Sequence, residues 1–416
     1  MTMLPDNLAA HPRGTTLSAM PGLTRYSTIA SIFAGIVSTA VIYDALPPIL
    51  PALSDSFGGG SYGNLIAQFA STMPIFGMAL SGFVSGPLIE RFGIKRVLAG
   101  SLLIFSLVGS LGAVLAAAMP LLASRLVTGV AAGTMMACGT SLIAANFDGI
   151  QRSRMSGRLY AVGAVCSVTF VFIAGAVADI WWRAPFLLHG MIAVVFFGPM
   201  LFMRSDASAG SSSSKAKTAG GFEKWLRLKP ALPAYGLIAL LVLFGNLFTI
   251  QIAFLMAATG TTSPTVIANV CMCHALGAFM ANLCIGKVEA TMGMQRSLQL
   301  ACILIAIGSV ASGLTSGPIL LAASVFVGGL GIGIGVPSTL NLIMRRVPEA
   351  LVPRALGMGV TMMYIGGSAS PLILVPLSAV IGTQAVYYVA GIAIAGGVVL
   401  WQGAMWIRGN RAIPAA

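Results

Sequence analysis

Charge is what this sequence has least of. Asp, Glu, Lys and Arg together make up 8% of its 416 residues, where a soluble domain carries about 25%. A soluble fold of this length cannot cover its surface with so few charges. That excludes a cytosolic enzyme and a disordered chain. Acidic residues are the scarcer sign, 10 against 23 basic ones. Cysteine is limited to Cys138, Cys166, Cys271, Cys273, Cys284 and Cys302, all in apolar stretches, so no disulfide framework is implied. Cys271, Cys273 and His274 lie close in sequence, but on a helix the two thiols point roughly 200° apart, and no metal site is expected. No Walker lysine motif, zinc-ligand spacing or nucleophile–base constellation is present. The chain therefore reads as no enzyme, with no cofactor. GGLGIGIG at 328–335 superficially resembles a nucleotide-binding loop, but no strand precedes it, and Gly329 and Gly333 suit close helix packing instead. Residues 1–25 are polar, carry Pro5, Pro12 and Pro21, and lack the short apolar core of a signal peptide.

What is abundant is apolar sequence, 57% of the chain. Runs of about 20 apolar residues each suffice to cross a bilayer. Such runs predict twelve helices, at 27–50, 62–85, 97–118, 121–145, 157–179, 185–203, 232–257, 264–285, 297–314, 318–343, 356–381 and 384–406. With twelve, the intervals between spans place 21 of the 23 basic residues on the side that holds both termini, and only Arg125 and Arg183 fall elsewhere. Cytoplasmic loops collect Lys and Arg, so both termini are expected in the cytoplasm of a bacterial-type inner membrane. The excess of positive charge thus reports topology rather than nucleic acid. The expected organisation is a cytoplasmic segment at 1–26, a six-helix bundle at 27–203, a Ser/Gly/Ala/Lys-rich linker at 204–229, a second bundle at 230–406 and a tail at 407–416.

The two halves repeat. Residues 76–96 align without gaps on 276–296, so that Gly77, Gly86, Gly93 and Arg96 recur as Gly277, Gly286, Gly293 and Arg296. Arg154 and Gly157 recur at the same offset as Arg354 and Gly357, which argues duplication. Internally repeated membrane proteins are typically secondary transporters with a substrate site between the repeats. The run Gly86-Pro-Leu-Ile-Glu90-Arg91-Phe-Gly93-Ile-Lys95-Arg96 resembles the signature between helices 2 and 3 of the major facilitator superfamily. The resemblance implies an all-α membrane fold of two pseudo-symmetric six-helix bundles. It also implies that Gly86, Glu90, Arg91, Gly93, Lys95 and Arg96 form a cytoplasmic latch, with Glu90 near the start of helix 11 at Arg354–Gly357. The second copy has Ala290 where the first has Glu90. Arg125, Gly129 and Gly133 resemble the helix-4 arginine motif of drug:proton antiporters, and Trp182-Arg183-Ala-Pro185-Phe186 resembles the W-R-x-P-F stretch before helix 6. Helix 5 lacks the Gly-Pro pair of the antiporter branch.

Ionisable groups inside a membrane are functional candidates by default. Asp44, about six residues before the expected outer end of helix 1, and Arg125, about five residues into helix 4, come out at matched depth at roughly 1.5 Å per residue. They are expected to pair across the cavity, Asp44 carrying a proton, with a purely structural Asp44 beside Pro47 and Pro48 as the alternative. Tyr43, Asn64, Gln68, Asn246, Gln251, Asn341 and Tyr364 are candidates either to line the substrate cavity or to tie helices together. His189 and His274 read as packing residues, and the 22 methionines suit both lipid-facing helix and an adaptable cavity. The expected function is monomeric, proton-coupled export of small, partly apolar organic compounds. Proton-symport uptake of a small organic anion held by Arg125 is the alternative, and a non-transporting receptor or scaffold a remote one.

Overall fold

The computed structural model describes residues 22–147, 149–202, 229–315 and 317–411. The expected linker at 204–229 and the residues before Gly22 therefore fall almost wholly outside the described residues. Twelve helices are long and apolar enough to cross a membrane. They are α1 (Gly22–Ser56), α2 (Gly60–Phe92), α3 (Ile94–Ala113), α4 (Ala118–Asn146), α5 (Arg154–Ile180), α6 (Ala184–Leu201), α7 (Lys229–Ala258), α8 (Pro264–Met292), α9 (Met294–Leu314), α10 (Pro318–Arg346), α11 (Arg354–Ile381) and α12 (Thr383–Leu400). No strand occurs among the described residues. A bilayer-spanning chain must satisfy its backbone within each segment, which is why helices account for every crossing.

Hydropathy marks the apolar middle of each helix but not its ends. α2 runs on to Phe92 and α8 to Met292, so Gly86 to Arg91 lie on helix rather than in a loop. Both helices stop at a glycine with left-handed backbone, Gly93 at φ 80° and Gly293 at φ 78°. A side chain there costs roughly 1–2 kcal/mol. α1 is not one straight helix either. Its first part ends at Asp44, Pro47–Ile49 form a 3-10 turn, and helix resumes at Leu50. Pro47 and Pro48 lack the N–H groups that would continue the ladder. At the equivalent place in the second half, α7 widens into a π-helical segment at Leu247–Gln251. Its Leu247 carbonyl accepts a hydrogen bond of 2.7 Å from the Tyr387 hydroxyl of α12.

The duplication read from sequence recurs in the packing. A Cβ on Gly77 would strike the backbone of α4 at Leu126 and Val130, and one on Gly277 would strike α10 at Phe326 and Leu330, each 200 residues on. A Cβ on Gly129 would meet Pro74 of α2, and one on Gly329 would meet His274 of α8. Without a hydrophobic drive between helices in lipid, such small residues set how closely backbones approach.

The bundles touch along α2–α11 and α5–α8, and their close contacts lie toward the side opposite the termini. Gly175, near the far end of α5, packs against Pro264, Thr265 and Ala268 at the start of α8. Gln68 of α2 donates to Gln251 of α7 at 3.1 Å, both buried. At the terminus-bearing ends, Gly86, Gly157, Gly286 and Gly357 would each meet nothing within 4 Å if given a Cβ. The structure is closed on the outer side and open on the side of the termini.

Candidate functional site

Asp44 occupies the break in α1, half-buried, and its carboxylate accepts a hydrogen bond of 2.6 Å from the Ser167 hydroxyl of α5. Because α1 continues to Ser56, Asp44 lies twelve residues before the outer end rather than six. It therefore sits deeper than hydropathy suggests. Tyr43, Cys166 and Cys271 of α8 are within electrostatic reach of it, so the carboxylate faces the seam between the bundles. Tyr43 is 36% exposed and interacts electrostatically with Tyr364 of α11, which in turn lies near Tyr160 of α5. Tyr43 thus neighbours the carboxylate, and Tyr364 and Tyr160 extend the phenol series from it across both bundles. Aromatic faces and a carboxylate together attract organic cations.

Arg125 is elsewhere, and the expected ion pair is corrected. The guanidinium is fully buried inside the first bundle, between α3, α4 and α6. One Nη donates to the Gly109 carbonyl, the other lies 3.4 Å from His189 Nε2, and the plane sits 5.0 Å from the Phe186 ring centre. His189 Nδ1 is 3.0 Å from the Phe186 carbonyl. With Nδ1–H donating there, Nε2 is left as the acceptor for arginine. Among the described residues no ion pair joins Asp44 to Arg125. The mismatch follows from the two depths: Arg125 is only seven residues into α4, above the level of Asp44.

The remaining candidates separate into two groups. Tyr43 lies near Asp44, and Tyr364 near Tyr43. Asn64 accepts from Ser54 at 2.7 Å, tying the outer part of α1 to α2. Asn246 donates to the Gly367 carbonyl at 2.9 Å and to Ser370 at 2.7 Å, tying α7 to α11. Asn341 donates to the Glu289 carboxylate at 3.3 and 3.2 Å, near the terminus-side ends of α10 and α8. Gln68 and Gln251 hold each other, which leaves one acceptor atom, Gln68 Oε1, and one donor, Gln251 Nε2, buried without a partner among the described residues.

The residues expected to form a latch are largely exposed. Glu90, Arg91 and Arg96 are exposed, and Glu90 makes no hydrogen bond or ion pair among the described residues, so its expected contact at Arg354–Gly357 is not formed. Arg91 lies 5.3 Å from the Phe92 ring centre, and Lys95 donates to the Leu201 carbonyl at the end of α6, 2.9 Å away. Sequence reasoning missed Ser167 and Tyr160. Neither carries a motif, and both matter only because α5 packs on α1 and faces α11.

Two repeated bundles, joined on one side and parted on the other around a deep carboxylate, define a carrier of the alternating-access class. The chain belongs to the Major Facilitator Superfamily, whose family model matches residues 32–371 and 236–412. It is a multi-pass membrane transporter and not an enzyme. It is 28% identical over 187 residues to the quinolone resistance protein NorA of Staphylococcus aureus, covering 44% of each chain. It is 29% identical over 160 residues to a protein of Arabidopsis thaliana named "Probable anion transporter 6, chloroplastic", covering 38% of this chain and 30% of that one. The chain thus spans less than half the length of the curated relatives it matches. Among solved structures, that of the nucleoside transporter NupG superposes with a TM-score of 0.71 at 12% identity, over 92% of this chain and 99% of the other. That likeness is one of fold.

Proposed function

We propose that the chain exports small, partly apolar organic compounds, cationic ones by preference, in exchange for protons, with Asp44 carrying the proton. The observation behind this reading is the placement of Asp44 at the α1 break, facing the seam beside Tyr43, which in turn neighbours Tyr364 of the other bundle. Among the described acids, Asp55 and Asp179 lie at outer helix ends, and Glu90, Glu289 and Glu349 on the side of the termini. Asp44 is the deep one. A cation and a proton would compete for the same carboxylate, which is the minimum an exchanger needs. The similarity to a quinolone resistance protein supports export. The similarity to an anion transporter favours the second reading, uptake of an organic anion with protons, but Arg125 is turned away from the cavity and leaves that anion without its expected partner.

The proposed setting is a bacterial-type inner membrane. Both termini are cytoplasmic on the positive-inside pattern, so the open side faces the cytoplasm, and the carrier works as a monomer of two bundles at 27–203 and 230–406. The test is transport of a fluorescent lipophilic cation in proteoliposomes with an imposed pH gradient. Asp44→Asn is expected to abolish accumulation driven by the gradient while Asp44→Glu retains part of it. Undiminished gradient-driven transport by the Asn variant would overturn the assignment.

A further inference from the structure

We propose that a crevice between the terminus-side ends of α1, α4 and α5 is a binding site for an acidic phospholipid. The cavity measures about 260 Å³ and is lined by Arg25, Ile29, Phe33, Phe147, Met155 and Arg158. Arg25, Ile29 and Phe33 recur at four-residue spacing, so they form one stripe along α1. Met155 is buried and Ile29, Phe33 and Phe147 half-buried, whereas both arginines are exposed at the rim. Neither guanidinium makes an ion pair or hydrogen bond with a described residue. Two exposed guanidinium groups over an apolar wall match a phosphate diester with an acyl chain behind it. Guanidinium forks suit phosphate oxygens, and basic pockets between helices on the positively charged side recognise acidic headgroups.

The duplicated half shows that the fold does not require this opening. At the 200-residue offset, Phe147, Met155 and Arg158 correspond to Val347, Ala355 and Met358. Those three belong to an apolar cluster with Tyr235 and Ile343, and the Tyr235 hydroxyl donates to the Ala355 carbonyl at 3.2 Å. The second bundle fills the place that the first leaves hollow and rims with charge. An apolar wall selects a lipid over a free anion, because a soluble phosphate gains nothing from it.

The experiment is native mass spectrometry of the full-length protein in a neutral detergent, titrated with dioleoylphosphatidylglycerol, dioleoylphosphatidylcholine or glycerol 1-phosphate. Phosphatidylglycerol is expected to bind, and the other two not. Arg25→Gln and Arg158→Gln should each weaken binding about fivefold, the scale of one basic residue at an anionic surface. Arg296→Gln, an exposed cation elsewhere on the same side, should leave it unchanged. Arg25→Lys with Arg158→Lys keeps the charge and should retain most of the affinity, and lipid-free melting temperatures identify any variant that fails to fold. Equal binding of phosphatidylcholine, equal binding of glycerol 1-phosphate, or full affinity in a folded double Gln variant would each overturn the proposal. No outcome depends on the direction or coupling of transport.

Discussion

A single hydroxyl decides how Asp44 is held. Ser167 donates to it across the α1–α5 contact, and in the proposed exporter Tyr43 and Tyr364 are the aromatic surfaces a cargo would meet. Removing a ring face costs a desolvated cation about 1–2 kcal/mol. Tyr43→Ala and Tyr364→Ala should therefore each weaken binding of a lipophilic cation by roughly tenfold, and Tyr→Phe at either place much less, as read by equilibrium binding to purified protein. Unchanged affinity in both Ala variants would remove the aromatic contribution. Asp44 itself was legible in the sequence, since a lone acid inside an apolar run has few structural reasons to exist. Its neighbours were not. Ser167 is one hydroxyl among many on apolar helices, and Tyr160 faces Tyr364 only through the meeting of two bundles. Arg125 was legible as a buried cation, but not its partners: Gly109 and Phe186 offer a carbonyl and a ring, which leave no charge for a sequence pattern to find.

Helices carry the repeat more faithfully than residues do. The first helix of each half is distorted at the same register, Pro47–Ile49 in α1 and Leu247–Gln251 in α7. Only the first has prolines there, so only the first was readable. The glycines were readable as spacing, and the structure supplies the reason. A methyl group on Gly129 would run into the Pro74 backbone and one on Gly329 into that of His274. Backbone cannot step aside as a side-chain tip can, and overpacking costs typically about 1–3 kcal/mol. Gly129→Ala and Gly329→Ala should both lower the melting temperature of the purified protein. Gly100→Ala, where a Cβ would meet nothing within 4 Å, should not. Comparable melting of all three would show that these glycines do not set the spacing of the helix pairs.

At the scale of the molecule, the outer closure combines contacts of the outer part of α1 with α7 and α8, the Gln68–Gln251 hydrogen bond, and the seat of Gly175 on α8. A side chain at Gly175 would press on Ala268 and Pro264. Gly175→Leu should wedge α5 from α8 and shift the population toward the outward-open form. The measurement is maleimide labelling of single cysteines placed near Gln68, which should speed up several-fold, while labelling near Glu90 slows. Faster labelling on both sides would mean unfolding rather than rocking. The depth of Asp44 has an electrical consequence. If it is the sole ionisable group through which cargo and protons trade places, a singly charged cation leaves for one proton entering, and no net current crosses the bilayer. Voltage would then be powerless over such a cargo, whereas an uncharged one would move with a measurable current.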